Sequence, residues 1–321
     1  MVCIFAEGAL TQTGNMGEFH RGLERVLNGL DVPVVPVHIG GAWGSIFSKD
    51  NTASIWRSLR KLPWPITVSF GKPVVEPTAG DVRQAVVELS AEAAIQDVKE
   101  ETLSSRFVES AKQNWSRRAM TELSGRTLTF GEVLVASKLL AAKIDAMCPE
   151  QKMIGVMLPA CTAGALVNLA AVLSGRVVVN LNFTSGTAAV ESAIQQCELA
   201  TILTSKAFLE KANLEQRAAM VFVEDLAQFG RAKKVWAFLN AKMLPTRLLC
   251  PRHVKGNDVA AALFSSGSTG APKGVMLSHR NLIANTDSVN QLFPMSASDA
   301  IAGVLPLFHA FGFTYTLGSH C

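Results

Sequence analysis

Charge is sparse in this 321-residue chain, and cysteine never comes in close pairs. Only 17% of the residues are charged and the net charge is +4. No Lys/Arg block long enough to act as a nucleic-acid tail interrupts the sequence, so nucleic acid is not an expected partner. The six cysteines (Cys3, Cys148, Cys161, Cys197, Cys250 and Cys321) stand singly, without a CxxC pair or Cys/His ligand spacing. That argues against a disulfide framework and a zinc centre, and for free thiols in a reducing compartment. The opening MVCIFAEGAL lacks the basic region, apolar stretch and cleavage site of a secretory signal. Internal repeats and low-complexity segments are also lacking.

What the chain does have is apolar residues, 49% of the total, enough to bury sizeable cores in about two domains. Residues 153–175 (MIGVMLPACTAGALVNLAAVLSG) carry no charge at all, and a bilayer span needs roughly 20 such residues. The same run divides into a strand, a small-residue helix and a second strand, as buried parallel α/β units do. Pro159, Thr162, Asn168 and Ser174 favour that second reading.

Three zones follow one another. Up to about residue 88, turn residues separate short strands in DVPVVPVHIGG and PITVSFGKPV, where Thr67, Ser69 and Gly71 alternate with Val68 and Phe70. Residues 81–118 have helical composition. From about residue 116, strand candidates at 154–158, 177–179, 201–204, 220–223 and 259–264 alternate with helix candidates such as 187–197 and 206–218. Such alternation predicts an α/β fold with a doubly wound parallel sheet.

The densest chemical signal is DVAAALFSSGSTGAPKGVMLSHRN. An apolar strand opens into Ser265, Ser266, Gly267, Ser268, Thr269, Gly270, Ala271, Pro272, Lys273 and Gly274. The glycines let successive N–H groups converge on an anion. The hydroxyls add donors for phosphate oxygens, Lys273 adds a mobile positive charge, and Pro272 stiffens the turn. The Gly-Lys-Ser/Thr order of the kinase and GTPase loop is not met, because Lys273 is followed by Gly274 and Val275. A solvated Gly/Ser linker is the plain alternative, although apolar strands on both sides speak against it.

SSGSTGAPKGVMLSHRN resembles the signature loop of the adenylate-forming superfamily, which includes acyl-CoA and acyl-carrier-protein synthetases. The resemblance extends to TLTF at Thr127, GVMLP at Gly155, VNLNFT at Val179 and LPLFHAFGF at Leu305. It implies ATP with Mg2+ as cofactor, and no bound metal site or prosthetic group in the chain. The loop residues Ser265, Ser266, Gly267, Ser268, Thr269, Gly270, Pro272, Lys273 and Gly274 would hold the β- and γ-phosphates while a carboxylate attacks the α-phosphate. His309 and Phe311 would border the acyl pocket; a histidine packed in an aromatic turn is the alternative for His309.

FAEGALTQTGNMGEFHRGLERV resembles a second family, the glycerophospholipid acyltransferases, in which a Phe-x-Glu-Gly segment grips the acceptor's phosphate. The resemblance assigns that role to Glu7 and Gly8, after Phe5, with Ala6 where that family usually has proline. Pro36 would end the following strand. The family's His-x-x-x-x-Asp pair has no counterpart before Glu7, and the match HVKGND (His253 to Asp258) lies behind it and reads as coincidence.

Together the two resemblances are to bifunctional bacterial lysophospholipid acyltransferase/acyl-carrier-protein synthetases. They imply residues 1–90 as the C-terminal part of an acyltransferase domain, 91–115 as a helical linker, and 116–321 as the N-terminal part of an AMP-binding domain. The implied partners are a fatty acid, acyl carrier protein or coenzyme A, a lysophospholipid and a membrane surface. The implied location is cytoplasmic, peripheral at the inner face of a bacterial cell membrane. Neither catalytic set is complete, since the acyltransferase His/Asp pair and the adenylation domain's C-terminal lysine are missing. The expectation is a polypeptide cut at both ends, with little activity alone. A non-catalytic membrane-associated remnant and a fragment of a stand-alone acyl-CoA synthetase are the alternatives. Two segments suit a bilayer surface: residues 56–64 (WRSLRKLPW) and 231–244, where Val235, Trp236, Leu239 and Met243 form one helical stripe. For the second, packing of the stripe on its own domain is the favoured expectation.

Overall fold

The computed structural model describes residues 2–11, 16–30, 32–42, 66–97, 101–122, 124–265, 272–292 and 299–318. These divide into two compact units. The first comprises Met1–Val98 with Asp287–Met295, and the second Lys99–Thr286 with Ser296–Cys321.

In the first unit, β1 (Val37–Gly40) pairs antiparallel with β2 (Thr67–Phe70), and a bridge joins Val34 to Val74. Helix Ala79–Asp97 starts where Thr78 and Asp81 exchange hydrogen bonds, Thr78 N–H to Asp81 Oδ2 at 2.9 Å and Asp81 N–H to Thr78 Oγ1 at 3.2 Å. This reciprocal arrangement satisfies amide groups that the first helical turn leaves open. The Thr78 hydrogen bonds hold the Asp81 carboxyl below its ordinary value. Val82 and Val86 from this helix meet Leu23 of helix Gly22–Leu27 in a small core. The register sets Val37 opposite Phe70 and Ile39 opposite Val68, so these four apolar side chains share one face of the ribbon. All four are exposed.

The second unit is built on a six-stranded sheet of order β10-β9-β6-β5-β7-β8. Its strands are β5 (Met153–Val156), β6 (Val177–Asn180), β7 (Ile202–Thr204), β8 (Met220–Phe222), β9 (Val259–Ser265) and β10 (Lys273–Ser278). Five run parallel and β10 returns antiparallel beside β9. A separate ribbon pairs β3 (Arg118–Thr121) with β4 (Thr127–Thr129). The strands named from the sequence are therefore present, and the fold is an α/β one with a parallel-rich sheet.

The uncharged run 153–175 resolves into β5 and helix Thr162–Leu173, whose residues are largely buried. Among the described residues no helix is long and apolar enough to cross a membrane. Inside this crossover two buried amides pair reciprocally. Asn180 Nδ2 donates to Asn168 Oδ1 at 2.8 Å, and Asn168 Nδ2 donates to Asn180 Oδ1 at 3.2 Å and to Gly164 O at 2.8 Å. Each amide is thereby satisfied where burial would otherwise penalise it.

Local chemistry sets the other element ends. Helix Phe130–Met147 begins at a capping box between Thr129 and Glu132, and helix Leu103–Gln113 at one between Thr102 and Ser105. The latter helix lies within the span expected as a linker, yet its Phe107, Val108 and Ala111 are fully buried and it belongs to the second unit. The helix expected over 206–218 stops earlier, as Lys206–Ala212. Asn213 takes a left-handed conformation (φ 50°) there, which ends the helical turn.

Helix Arg231–Met243 corrects another expectation. Its Ala237 and Ala241 are the buried residues, and the helix packs against Phe130–Met147. Small side chains one turn apart let two helix axes approach closely. Val235, Trp236, Leu239 and Met243, expected to pack inward, are exposed instead.

The sheet is tied to its flanking helices by Arg176, at the start of β6. Its guanidinium donates to Asp145, to Ser174 O at 2.9 Å and to Cys148 O at 2.6 Å. Arg176 is only 8% exposed, whereas Asp145 is 54% exposed and can regain water if the pair is broken. Arg176→Met is therefore expected to destabilise the protein by about 2 kcal/mol, below the usual cost of breaking a fully buried pair. Arg176→Lys should recover only part of this, because an ammonium cannot reproduce the planar fork. Urea unfolding measures both, and an unchanged midpoint in Arg176→Met would contradict the assignment.

Candidate functional site

Parallel α/β sheets gather ligand-binding groups at the carboxyl ends of their strands. Strand β9 ends at Ser265, and the register places Lys273, the first residue of antiparallel β10, opposite Ser265. The loop between them thus springs from the carboxyl edge of the sheet. Of the nine residues assigned to phosphate, Ser265, Pro272, Lys273 and Gly274 are described, with Lys273 exposed. Ser266, Gly267, Ser268, Thr269 and Gly270 lie outside the described residues.

The described stem explains its own sequence. Gly274 sits opposite Phe264, and a Cβ at Gly274 would come within 3.1 Å of that ring. Ser265 Oγ reaches Lys273 O at 3.5 Å, a marginal distance for a hydrogen bond. Gln196, the last residue of helix Thr187–Gln196, donates from Nε2 to Pro272 O at 3.0 Å. Gln196 fixes one shoulder of the loop, a role that sequence reasoning did not find, since only the folded chain brings the two together.

At its other end β10 runs into helix His279–Leu292. The His279 imidazole is buried and its Nδ1 accepts from Leu103 N–H at 3.2 Å. Its backbone N–H donates to Asp258 O at 3.1 Å. Burial pushes the His279 pKa down to about 4 from 6.5, against the opposing pull of the Asp258 carboxylate. His279 is thus a neutral acceptor clamping the foot of the hairpin to helix Leu103–Gln113. Asp258 Oδ2 accepts from Lys255 N–H at 2.8 Å, while His253 abuts Gly175. His253 and Asp258, the two fixed positions of the HVKGND match, thus stand in different surroundings, one against Gly175 and the other beside Lys255 and His279.

The segments VNLNFT and LPLFHAFGF come together at the same sheet edge. Phe183, just beyond β6, meets Phe308 edge-on at 5.2 Å and Phe208 at 4.9 Å between ring centroids. Phe308 and Leu307 are buried, and a Cβ at Gly164 would lie 3.2 Å from Leu307 Cδ1. His309 and Phe311 themselves face solvent; the Phe311 ring stacks on Tyr315 at 4.7 Å. The enclosed aromatic partner of this turn is Phe308, which the sequence reading passed over in favour of its neighbours. A short helix, Ala310–Gly318, follows.

In the first unit, Glu7 and Gly8 occupy a tight turn. Gly8 has φ +66° and its N–H donates to Phe5 O at 3.0 Å. The Glu7 carboxylate accepts from Gly17 N–H at 2.8 Å, and Gly17 O in turn accepts from Arg83 Nε at 3.0 Å. Pro36 O accepts from Gly71 N–H at 2.8 Å at the end of the ribbon. Among the described residues no group of three or more His, Cys, Asp or Glu could hold a metal ion. Mg2+ commonly reaches such sites through substrate phosphates, with few protein carboxylates, so the loop chemistry fits a magnesium-bound polyphosphate without a dedicated cage.

Known proteins share this architecture. The chain is 29% identical over 199 residues to 4-coumarate–CoA ligase of Pinus taeda, covering 60% of this chain and 36% of that protein. It is 26% identical over 242 residues to long-chain-fatty-acid–CoA ligase of Bacillus subtilis (strain 168), covering 66% of this chain and 43% of that protein. The chain thus spans less than half the length of either relative. The fatty acid AMP ligase from Legionella pneumophila has the same fold, with a TM-score of 0.54 at 20% identity over 68% of this chain and 38% of that one. The model for the AMP-binding enzymes matches residues 107–321, from the buried helix at Phe107 through the loop and the aromatic turn, and the chain belongs to that family.

Proposed function

We propose that this chain is part of an AMP-forming ligase that activates a fatty acid. The acid's carboxylate attacks the α-phosphate of ATP, the bond to the β-phosphate breaks, and pyrophosphate leaves. A carrier thiol of coenzyme A or acyl carrier protein then displaces AMP from the acyl-adenylate. The loop 265–274 holds the β- and γ-phosphates and Lys273 offsets their charge. The observation that carries the reading is the β9–β10 hairpin, which presents that loop at the carboxyl edge of the sheet within a family match of 107–321. Mg2+ bound with the nucleotide would neutralise charge on the same phosphates. His309 and Phe311 are assigned to the rim of the acyl site, with Phe308 as its floor.

The reading extends to the first unit. Glu7 and Gly8 would face the phosphate of a lysophospholipid acceptor, so that residues 1–90 contribute acceptor binding, without the His/Asp pair, to the transfer of the acyl group that the ligase part activates. The assembly would work at the inner face of the bacterial cell membrane.

Isothermal titration of the chain with magnesium ATP tests the core of the proposal. Binding should weaken about tenfold or more in Lys273→Ala, about 1.4 kcal/mol per factor of ten, and unchanged affinity would remove Lys273 from the site. Exchange of labelled pyrophosphate into ATP, measured on the enzyme containing this chain, should depend on a fatty acid. Exchange supported by 4-coumarate and not by palmitate would overturn the assignment of substrate class.

A further inference from the structure

Helix Arg231–Met243 presents its largest apolar side chains to solvent. Val235, Trp236, Leu239 and Met243 are 59%, 70%, 48% and 76% exposed. Val235, Leu239 and Met243 succeed one another at four-residue spacing and Trp236 stands beside them, so they form one ridge along the helix. That ridge lies opposite Ala237 and Ala241, which pack against helix Phe130–Met147. The body of the protein therefore holds the helix by its small-residue side and points the ridge outward.

The charged residues of the helix itself are all of one sign. The helix contains Arg231, Lys233, Lys234 and Lys242, all exposed, and no Asp or Glu. At about 100° per residue, Arg231 and Lys242 flank one side of the ridge and Lys233 the other. Lys242 also lies over the Phe238 ring at 5.7 Å, and Phe238 meets Trp115 edge-on at 5.5 Å. An apolar ridge bordered by long cationic side chains is the arrangement of a helix lying in a bilayer interface. The ridge enters the acyl boundary while the ammonium groups reach back to anionic head groups. The indole suits the same depth, being apolar in body with one N–H donor.

We propose that helix Arg231–Met243 docks the second unit on an anionic lipid bilayer, lying in the plane of the surface with Trp236, Leu239 and Met243 inserted. Charge complementarity commits the occupant to anionic lipid: one-signed flanks favour it over a second copy of this helix, whose flanks would repel. Docking requires neither ATP nor a fatty acid, and so stands or falls separately from the ligase reading. Residues 56–64, the other surface-seeking segment of the sequence, lie outside the described residues.

Co-sedimentation of the full chain with vesicles tests this. Phosphatidylglycerol mixed with phosphatidylcholine should bind the protein about tenfold more tightly than phosphatidylcholine alone, and added salt should remove most of that difference. The triple variant Trp236→Ala, Leu239→Ala, Met243→Ala should lose about tenfold or more in partitioning. Its thermal midpoint should stay that of the parent, because the replaced side chains are exposed. Arg231→Gln with Lys233→Gln and Lys242→Gln should abolish the preference for phosphatidylglycerol. Bromine-labelled lipid should quench the parent's fluorescence more than that of Trp236→Phe, a readout that needs only one conservative change. Undiminished binding of the triple variant would overturn the proposal. So would a concentration-dependent dimer, seen by sedimentation velocity and dispersed by Leu239→Glu, because it would assign the ridge to a second copy.

Discussion

Acidification from pH 6.5 towards 4 is expected to cost the protein about 3 kcal/mol of stability through His279 alone. Its folded-state pKa is pushed down to about 4 by burial, while the unfolded chain titrates near 6.5. Between these values the unfolded state binds the extra proton and the folded state does not, so stability falls as pH falls. The contribution is fully present above pH 6.5 and fully lost below about 4, at about 1.4 kcal/mol for each pH unit within the window. Protonation also turns Nδ1 from an acceptor into a donor facing the Leu103 N–H that it now accepts from. Urea unfolding across this pH range measures the slope. His279→Asn keeps an acceptor within reach of Leu103 and removes the titration, so its slope should be shallower by that amount. Equal slopes in both proteins would assign the acid sensitivity to carboxylates elsewhere.

Gly312→Ala is expected to cost about 3 kcal/mol, the upper part of the usual range for overpacking. A Cβ at Gly312 would collide with the Pro306 carbonyl oxygen and lie 3.0 Å from Leu305 O. Both contacts are with backbone, so no side chain can swing aside. Pro306 O also accepts from His309 N–H at 3.1 Å, and His309 O accepts from Phe313 N–H at 2.8 Å. The turn that carries Phe308 and His309 therefore folds directly over Gly312. Thermal unfolding should show the loss, and the contact of Phe308 with Phe183 should loosen with it. A midpoint equal to that of the parent would mean that the turn can shift without penalty.

The alternation of strands and helices was legible because buried parallel strands and capped helices leave local signatures. The uncharged run 153–175 and the box Thr129-x-x-Glu132 are of this kind. The loop was legible because phosphate binding concentrates glycine, hydroxyl and lysine within ten residues. The clamp at His279 and the Gln196 contact were hidden, since each depends on a partner far along the chain: Leu103 in one case, Pro272 in the other. The inward face of helix Arg231–Met243 was misjudged for a related reason. Apolar bulk ordinarily marks the buried side, but here two alanines do, and only the neighbouring helix reveals that they are enough. Asn213 ended a helix early through a backbone conformation that composition does not register.

The paired amides of Asn168 and Asn180 work as a key rather than as glue. An apolar pair that filled the same space could replace them at little cost in free energy, but apolar side chains would accept many neighbouring arrangements. The amides accept one. Sliding helix Thr162–Leu173 along its axis by one residue would displace it by about 1.5 Å, far more than a hydrogen bond tolerates, and would strand two polar groups in the core. The helix is therefore locked in phase with β6. Since Gly164 sits against Leu307 at its start and Phe183 follows β6 at its end, that single setting fixes how the aromatic turn meets the sheet. The accuracy of the site at the strand ends is thus set one layer below it, by two side chains that no substrate need touch.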